Sequence, residues 1–386
     1  MRWALTGLLL LHGLIHSMGF LKAFGLAELT QLHQPISRPL GVLWLVATVA
    51  MLVAAFAVPA RWFWIAGTIA LVLSQVVIIS AWSDAKFGTL ANVVVLLAIV
   101  YSFAAHGPFS FEAQYLAAVD EGLARPPAVG VVTEQDLENL PAPVQKYLRV
   151  TGAIGQPRLS NFKLTWRGRI RGGPTEPWME FEAEQHNFFG PSPSRLFLLR
   201  ASRAGLPVDV FHRYVGDAAT FRVRLLSIVP MVDAKGPEMN RAETVTLFND
   251  LCFFAPAALI DPAIRWEPKD DRSARAHFTR GPETITAELW FDQKGELVDF
   301  SSDDRARRAA DGTFVKDHWT TPVREYRAFG PRRVGTRGEA RSDSPTGPFA
   351  YGEFELQGIE YNLAPSPAPR AEPELRVRVS TSSTAQ

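Results

Sequence analysis

The sequence predicts an α+β protein: an N-terminal four-helix transmembrane bundle followed by a curved antiparallel β-sheet, a half-barrel, that wraps a short central helix. Three observations support this fold class. Residues 1–107 are overwhelmingly apolar, whereas the remainder has ordinary polarity. Apolar and polar residues alternate repeatedly through 157–363, as in antiparallel strands with one buried face. Within that region, 243–261 is strongly apolar yet carries Asn249 and Asp250, which suits a buried helix better than a membrane span.

These shifts in composition divide the chain into four parts. We expect a transmembrane domain at 1–107, a juxtamembrane linker helix at 108–132, the half-barrel domain at 133–363 and a disordered tail at 364–386. The tail is rich in Pro, Ala, Ser and Thr, a composition that buries too little apolar surface to fold.

Overall charge and cysteine content exclude several classes of function. The formal net charge is +1, whereas nucleic-acid binders usually carry a clear basic excess. The single cysteine, Cys252, excludes an intrachain disulfide and any multi-cysteine metal site. Because Cys252 lies in the apolar run at 243–261, we interpret it as a core residue rather than a reactive thiol.

Four apolar segments predict the transmembrane helices, and each approaches the ~20 residues that a bilayer core requires: 3–20, 40–58, 62–82 and 90–105. Indole rings prefer the membrane interface, and tryptophans fall at or near the segment ends: Trp44, Trp62, Trp64 and Trp82. A cleaved signal peptide is the alternative for the first segment, but only Arg2 precedes it and two histidines interrupt it. Basic residues do not orient the bundle, since three on one side (Arg2, Arg61, Arg125) oppose three on the other (Lys22, Arg38, Lys86).

His12 and His16 are the most chemically suggestive pair in the membrane region. They lie four residues apart, share one helix face, and could together ligate a metal or a haem iron. The simpler interpretation is a hydrogen-bonded packing cluster, with partners on the third and fourth spans: Ser74, Gln75 and Asn92. A third interpretation places His16 at the membrane interface. We name both histidines as candidate metal ligands, and the sequence predicts no bound cofactor.

The linker contains an amphipathic helix at 111–123. Phe111, Tyr115, Val119 and Leu123 recur every four residues, which is typical of a helix lying along a membrane surface. A plain amphipathic spacer fits the same pattern.

Two consecutive strands establish the sheet. Apolar residues at 162–170 alternate with a basic row, and apolar residues at 179–184 alternate with glutamates. If the two strands pair, opposite charges face one another and favour one register. Further strands are predicted at 196–201, 208–214, 219–226, 264–267, 274–279, 284–291, 297–301, 318–326, 336–341 and 353–361. Turn residues at 293–296 and 310–313 predict hairpins.

The central helix presents a wide apolar face made by Leu247, Leu251 and Phe254, broadened by three neighbours: Val245, Phe248 and Cys252. A helix is about 10 Å wide, so it covers only part of so large a sheet. The remaining hollow is either filled by side chains or kept as a ligand cavity.

Candidate ligand contacts are aromatic residues that could line such a hollow and polar residues near it: Trp166, Phe181, Phe248, Asn249, Trp290, Asp303 and Arg305. Each has a plainer interpretation. Aromatic residues in strands are more often core. Asn249 could bond the sheet backbone, and the charged segment 303–308 could be a structural turn, a headgroup site or, with its paired carboxylates, an acid–base site.

Several segments together resemble a bacterial family of membrane-anchored proteins of unknown function: 140–148, 243–250, 301–305, 319–323 and 359–362. The resemblance covers about 133–363, and the segment around His12 and His16 resembles multi-span members. At fold level the soluble part is also similar to LolA/LolB-like lipoprotein carriers, whose curved sheet wraps a helix and holds an acyl chain. The resemblance implies a bacterial cytoplasmic (inner) membrane protein whose soluble domain is extracytoplasmic. It carries over no catalytic residue.

Three functions remain open. The first is a membrane-anchored module that binds a lipid or other apolar ligand. The second is an interaction or assembly module with a protein partner in the cell envelope. The third is a membrane enzyme or electron carrier using His12 and His16. No Gly-rich phosphate loop or Gly-x-Ser-x-Gly elbow is present, so the sequence favours binding over catalysis and predicts no catalytic residue.

Overall fold

The computed structural model describes residues 2–308, 313–343 and 347–365. Most of the predicted tail, from 366 onward, and most of the predicted 310–313 turn lie outside these residues. The α-helices are α1 (Arg2–Ala23), α2 (Arg38–Ala57), α3 (Phe63–Ser80), α4 (Trp82–Ala85), α5 (Gly88–His106), α6 (Phe111–Leu123), α7 (Ala142–Val150) and α8 (Pro237–Phe254). Two 3-10 turns occur at Gln135–Leu137 and Pro256–Ile260.

Four helical stretches are long and apolar enough to cross a membrane: Arg2–Ala23, Arg38–Ala57, Phe63–Ser80 and Gly88–Leu123. The last is broken at 107–110 into α5 and α6, and Ser110 caps α6 by accepting a hydrogen bond from the Ala113 amide at 3.0 Å. Small residues let α1 approach α2 closely, because a Cβ on Gly19 would lie 2.3 Å from the Trp44 ring.

The rest of the chain is dominated by strands. They are β1 (Asn161–Ile170), β2 (Met179–Phe188), β3 (Ser194–Arg203), β4 (Leu206–Val215), β5 (Ala218–Leu225), β6 (Val229–Lys235), β7 (Ile264–Asp270), β8 (Ser273–Arg280), β9 (Glu283–Phe291), β10 (Leu297–Ser302), β11 (Arg307–Arg308), β12 (Phe314–Val315), β13 (Trp319–Thr320), β14 (Val323–Phe329), β15 (Arg332–Ser342) and β16 (Phe349–Tyr361).

One antiparallel sheet contains all of these strands except the short β11–β12 pair. Its order is β6-β5-β4-β3-β2-β1-β16-β15-β13-β10-β9-β8-β7, with β14 branching from β15. The sheet curves without closing, since β6 and β7 are its two ends. α8 follows β6 and precedes β7, so it connects the two edge strands, and it packs on β5, β6, β9, β10 and β15. The predicted fold class is confirmed.

The first hairpin has the expected charge ladder. In its register Arg167 lies opposite Glu182, and their side chains form an ion pair at 3.2 Å. Lys163 lies 3.8 Å from Glu184. Each such exposed pair adds only a few tenths of a kcal/mol, so its main effect is on register.

α6 has the bounds predicted for the linker helix, but its apolar stripe does not face a membrane. Phe111, Tyr115 and Val119 are buried against the convex side of the sheet, on Phe188, Leu196, Leu198 and Phe211. The Tyr115 hydroxyl lies 2.6 Å from His186 Nδ1. The interpretation of this stripe as membrane-facing is therefore wrong, because the sheet takes up its apolar surface.

Other differences concern boundaries. α8 begins at Pro237, earlier than the apolar run suggested. The prediction began too late because the first turns of the helix are polar. Strand β6 was missed, since Val229–Lys235 contains Pro230 and Asp233 and follows a turn with positive φ at Leu226 and Ser227. The strand predicted at 318–326 is split by Pro322 into β13 and β14.

Candidate functional site

A cavity of about 610 Å³ lies between α8 and the concave face of the sheet. Its walls come mainly from β1–β6 and from β15 and β16. The apolar residues that line it include Trp166, Ile170, Leu199, Val210, Phe221, Val223, Met239, Phe253, Phe254 and Phe354. Its volume falls within the roughly 300–1,000 Å³ typical of small-molecule pockets, and an apolar lining with a few polar groups is also typical.

Helix periodicity explains why the cavity occurs on one side of α8 only. The residues that line it recur at helical spacing along one face: Met239, Ala242, Glu243, Thr246, Asn249, Asp250 and Phe253. The other face carries Val245, Phe248 and Cys252, all fully buried. Phe248 stacks on Phe278 of β8 and meets Phe300 of β10, with ring centroids 4.9 and 5.9 Å apart. α8 therefore fills one half of the half-barrel and leaves the other open.

A buried ion-pair network lines the polar side of the cavity. Arg195 on β3 bridges two carboxylates on α8, with Nε donating to Asp250 Oδ2 at 2.6 Å and Nη1 donating to Glu243 Oε2 at 3.2 Å. All three side chains are buried. Because Glu243 and Asp250 are two turns apart, one guanidinium contacts both.

Strand residues complete the hydrogen bonds of these carboxylates. His212 Nδ1 lies 3.1 Å from Glu243 Oε1. Gln185 and Asn187 each donate to Asp250 Oδ2, at 2.6 and 3.1 Å. Trp166 Nε1 donates to Gln185 Oε1 at 3.2 Å. The network thus ties α8 to β1, β2, β3 and β4.

The charge states follow from burial and from these contacts. Burial acts to raise the pKa of Glu243, but His212 and Arg195 together outweigh it and lower the pKa to about 2. Burial lowers the pKa of His212, against the opposing effect of the Glu243 carboxylate. Burial raises the pKa of Asp250, against the opposing effect of Arg195.

Arg305 differs from Arg195 in its partners. Its Nε donates to Thr246 Oγ1 at 3.2 Å, and its guanidinium carbon lies 4.6 Å from the centre of the Trp319 ring. No carboxylate within the described residues forms an ion pair with it. Arg305 lines the cavity and acts electrostatically on Glu243 and His212. It therefore offers a cation to a ligand inside the cavity.

Of the seven residues predicted to contact a ligand, three line this cavity: Trp166, Asn249 and Arg305. Asn249 Nδ2 also donates to Thr321 Oγ1 at 2.6 Å, so it joins α8 to the segment between β13 and β14. The other four lie elsewhere. Phe181 packs on Phe354, Phe248 lies in the filled half, Trp290 is exposed on β9, and the exposed Asp303 lies 2.6 Å from His318 Nδ1.

Sequence reasoning missed three central residues of the network: Arg195, His212 and Glu243. One pattern could have found part of it, because Glu243, Thr246 and Asp250 follow helical spacing on the side opposite Phe248. Nothing local marks Arg195, which precedes the apolar run of β3. Its role depends on a contact with residues about 50 positions away.

The predicted polar cluster forms inside the membrane helices. His12 Nε2 lies 3.1 Å from both Ser74 Oγ and Asn92 Oδ1, and His16 Nε2 lies 2.7 Å from Ser74 Oγ. Gln75 Oε1 accepts from Asn92 Nδ2 at 2.9 Å. Within the described residues no group of three or more His, Cys, Asp or Glu side chains could hold a metal. Metal ligation by the two histidines stays a prediction, which metal analysis and an absorption spectrum of the purified chain would check.

One protein family and several solved structures are similar to this chain. A family model described as a family of unknown function (DUF6544) matches residues 130–354. No curated protein matches the chain. Among solved structures, a DUF1329 family protein from Desulfovibrio piger is 13% identical, covers 57% of this chain and 92% of its own, and has a TM-score of 0.34. A LolA superfamily protein from Nitrosomonas europaea is 11% identical, covers 57% and 94%, and has a TM-score of 0.31.

Proposed function

Because this chain belongs to DUF6544, a family of unknown function, its role has to be inferred from its own site, and we propose that it is a membrane-anchored binding protein. It takes up a lipid or another apolar ligand in the cavity between α8 and the sheet. The observation that carries this proposal is the cavity of about 610 Å³, which α8 leaves open although it fills the other half of the sheet. The binding unit is the predicted half-barrel domain, 133–363.

The wall of the cavity selects for apolar surface. Leu199, Val210 and Val223 come from three adjacent strands and give it a continuous aliphatic side, while Phe253 closes it from α8. Removing apolar surface from water stabilises a complex by roughly 25 cal/mol per Å². An acyl chain or similar apolar body therefore gains most from this site.

The polar side of the cavity favours an amphiphile over a pure hydrocarbon. Arg195 is already bound by two carboxylates. Arg305 contacts a hydroxyl and an indole, and no carboxylate among the described residues forms an ion pair with it. A carboxylate or phosphate headgroup placed at Arg305 would gain a charge-assisted hydrogen bond in a site partly shielded from water. We therefore propose an anionic amphiphile, oriented with its headgroup toward Arg305.

A location follows from the same proposal. The four apolar helices are typical of a multi-pass membrane protein. The resemblance seen in the sequence supports the bacterial cytoplasmic membrane and an extracytoplasmic half-barrel. C-terminal reporter fusions, active on one side of the membrane only, would test the orientation.

The proposal is tested by purifying the full-length protein from membranes and extracting the bound lipid for mass spectrometry. Val223→Trp places an indole inside the cavity, and Thr284→Trp places one on an exposed position of β9 as the matched control. We expect co-purified lipid to fall several-fold in Val223→Trp and to stay unchanged in Thr284→Trp. Repeated lipid-free preparations of the parent protein would overturn the proposal. If the purified protein instead carries one stoichiometric protein partner and no lipid, the alternative function as an assembly module is favoured.

A further inference from the structure

The cavity opens at one end of the sheet. Its lining includes residues at the turns of three successive hairpins: Arg171 and Glu176 between β1 and β2, Arg203 at the end of β3, and Met231 just after the β5–β6 turn. Phe349, at the start of β16, lies at the same end, because the β16 residue Gly352 pairs with Ile170. The mouth is therefore formed by hairpin tips.

This end of the sheet is also the end attached to the membrane helices. Glu112, at the start of α6, accepts from Arg61 in the α2–α3 loop at 2.8 Å and from Arg200 on β3 at 2.9 Å. Arg200 lies only three residues before the tip residue Arg203. On the next strand, Asp209 acts electrostatically on Tyr101 in α5, as does Arg2 at the start of α1. The mouth and the ends of the four membrane helices α1, α2, α3 and α5 thus lie on one side.

The tips carry exposed apolar side chains. Leu206 at the β3–β4 turn and Ile228, Val229 and Met231 at the β5–β6 turn are 44–56% exposed. Isolated exposed apolar residues are ordinary, but these four occupy the tips of two adjacent hairpins. Arg203 lines the cavity at the same tips, and a basic side chain next to apolar ones suits the boundary between lipid phosphates and acyl chains.

From this arrangement we propose that the tips of the β3–β4 and β5–β6 hairpins rest in the interfacial layer of the bilayer that the four helices cross. The mouth of the cavity then opens onto that leaflet, and an amphiphile enters from it without passing through water. The occupant of this surface is the lipid bilayer itself, supported by its continuity with the membrane helices. Tip insertion stands whether or not the cavity binds lipid, whereas the entry route rests on the proposed function.

The native cysteine makes a direct test simple. Because Cys252 is fully buried, a cysteine introduced at the surface of the full-length protein can be labelled selectively. Met231→Cys places an environment-sensitive fluorophore at a tip. Lys294→Cys places it at the exposed β9–β10 turn, at the opposite end of the sheet. Both proteins are reconstituted into vesicles of anionic and zwitterionic phospholipid that contain headgroup-region nitroxide lipids.

We expect the label at 231 to be quenched several-fold more than the label at 294. Equal quenching at the two positions would overturn the inference. A second variant, Leu206→Ser with Ile228→Ser, changes two tip residues that do not line the cavity. It should bind a fluorescent fatty acid added from detergent as the parent protein does but load it from vesicles several-fold more slowly. Unchanged loading from vesicles would overturn the entry route. If quenching at 231 is strong while no fatty acid binds from detergent, the cavity proposal fails and tip insertion stands.

Discussion

The two long faces of α8 meet opposite surroundings within one sheet. Toward β8–β10, Phe248 packs against Phe278 and Phe300 in a filled aromatic core. Toward β1–β6, the same helix presents Glu243 and Asp250 to a cavity of about 610 Å³. One helix cannot cover both halves of so wide a sheet, so the half it leaves uncovered becomes available for a ligand.

The difference shows how each half is stabilised. The filled half is stabilised by close packing, in which every contacting methylene adds to the stability of the folded state. The open half lacks that packing around the cavity, and its helix is held instead by a hydrogen-bonded charge network. Four predictions, from the largest effect to the smallest, test this contrast.

Truncation in the filled half should be the most damaging change. Phe248→Ala is expected to lower the free energy of unfolding by about 4 kcal/mol, because it removes a buried ring and leaves a void. Phe253→Ala, which lines the cavity, should cost clearly less, since it enlarges a space that already exists. Urea unfolding of the full-length protein in detergent measures both. Equal losses would contradict the division into filled and open halves.

Replacing Arg195, the cation at the centre of the buried network, should cause the second-largest loss of stability. Arg195→Met is expected to cost about 3 kcal/mol, because it leaves Glu243 and Asp250 buried without their shared partner. Arg305→Met is the control, since Arg305 has no carboxylate partner among the described residues and should affect ligand retention more than stability. The same unfolding and lipid-extraction measurements separate the two. A stable Arg195→Met protein would show that the network does not hold α8.

Acidification should weaken the open half. The folded-state pKa of Glu243, about 2, lies below its ordinary value of 4.5. Its contribution to stability is therefore complete above pH 4.5 and is lost as the pH falls from 4.5 toward 2. Asp250, whose pKa is raised, acts in the opposite direction and offsets part of this loss in the upper part of that window. Thermal unfolding across pH 2–6 should show a smaller acid loss in Glu243→Gln than in the parent protein; the same loss in both would assign it to other groups.

The exposed charge ladder provides the smallest effect. Arg167→Ala breaks the pair with Glu182, but both side chains are largely exposed to water, which screens the interaction. We expect no measurable change in the midpoint of thermal unfolding, in contrast with Arg195→Met. A loss comparable to that of Arg195→Met would show that position in the sheet, rather than burial, sets the strength of these pairs.

Prediction from the sequence succeeded where periodicity is local. The bounds of α6 and the pairing of β1 with β2 follow from side chains four or two residues apart. Prediction failed where the partner of a side chain lies far away in the sequence. From the sequence, the apolar stripe of α6 fits either a membrane surface or a plain spacer. Its actual partner is Phe211 on β4, which lies 100 residues beyond Phe111 in the chain.

The four apolar helices, the antiparallel sheet and the short apolar helix that it wraps can be read from residue order, since each depends on hydrophobic period and length. The folded chain alone shows which half of the sheet α8 fills, that Arg195 meets Glu243 and Asp250, and that the mouth of the cavity lies beside the membrane helices. The reason is physical: these features depend on the curvature of the whole sheet and on contacts between residues far apart in the chain, which no local pattern encodes.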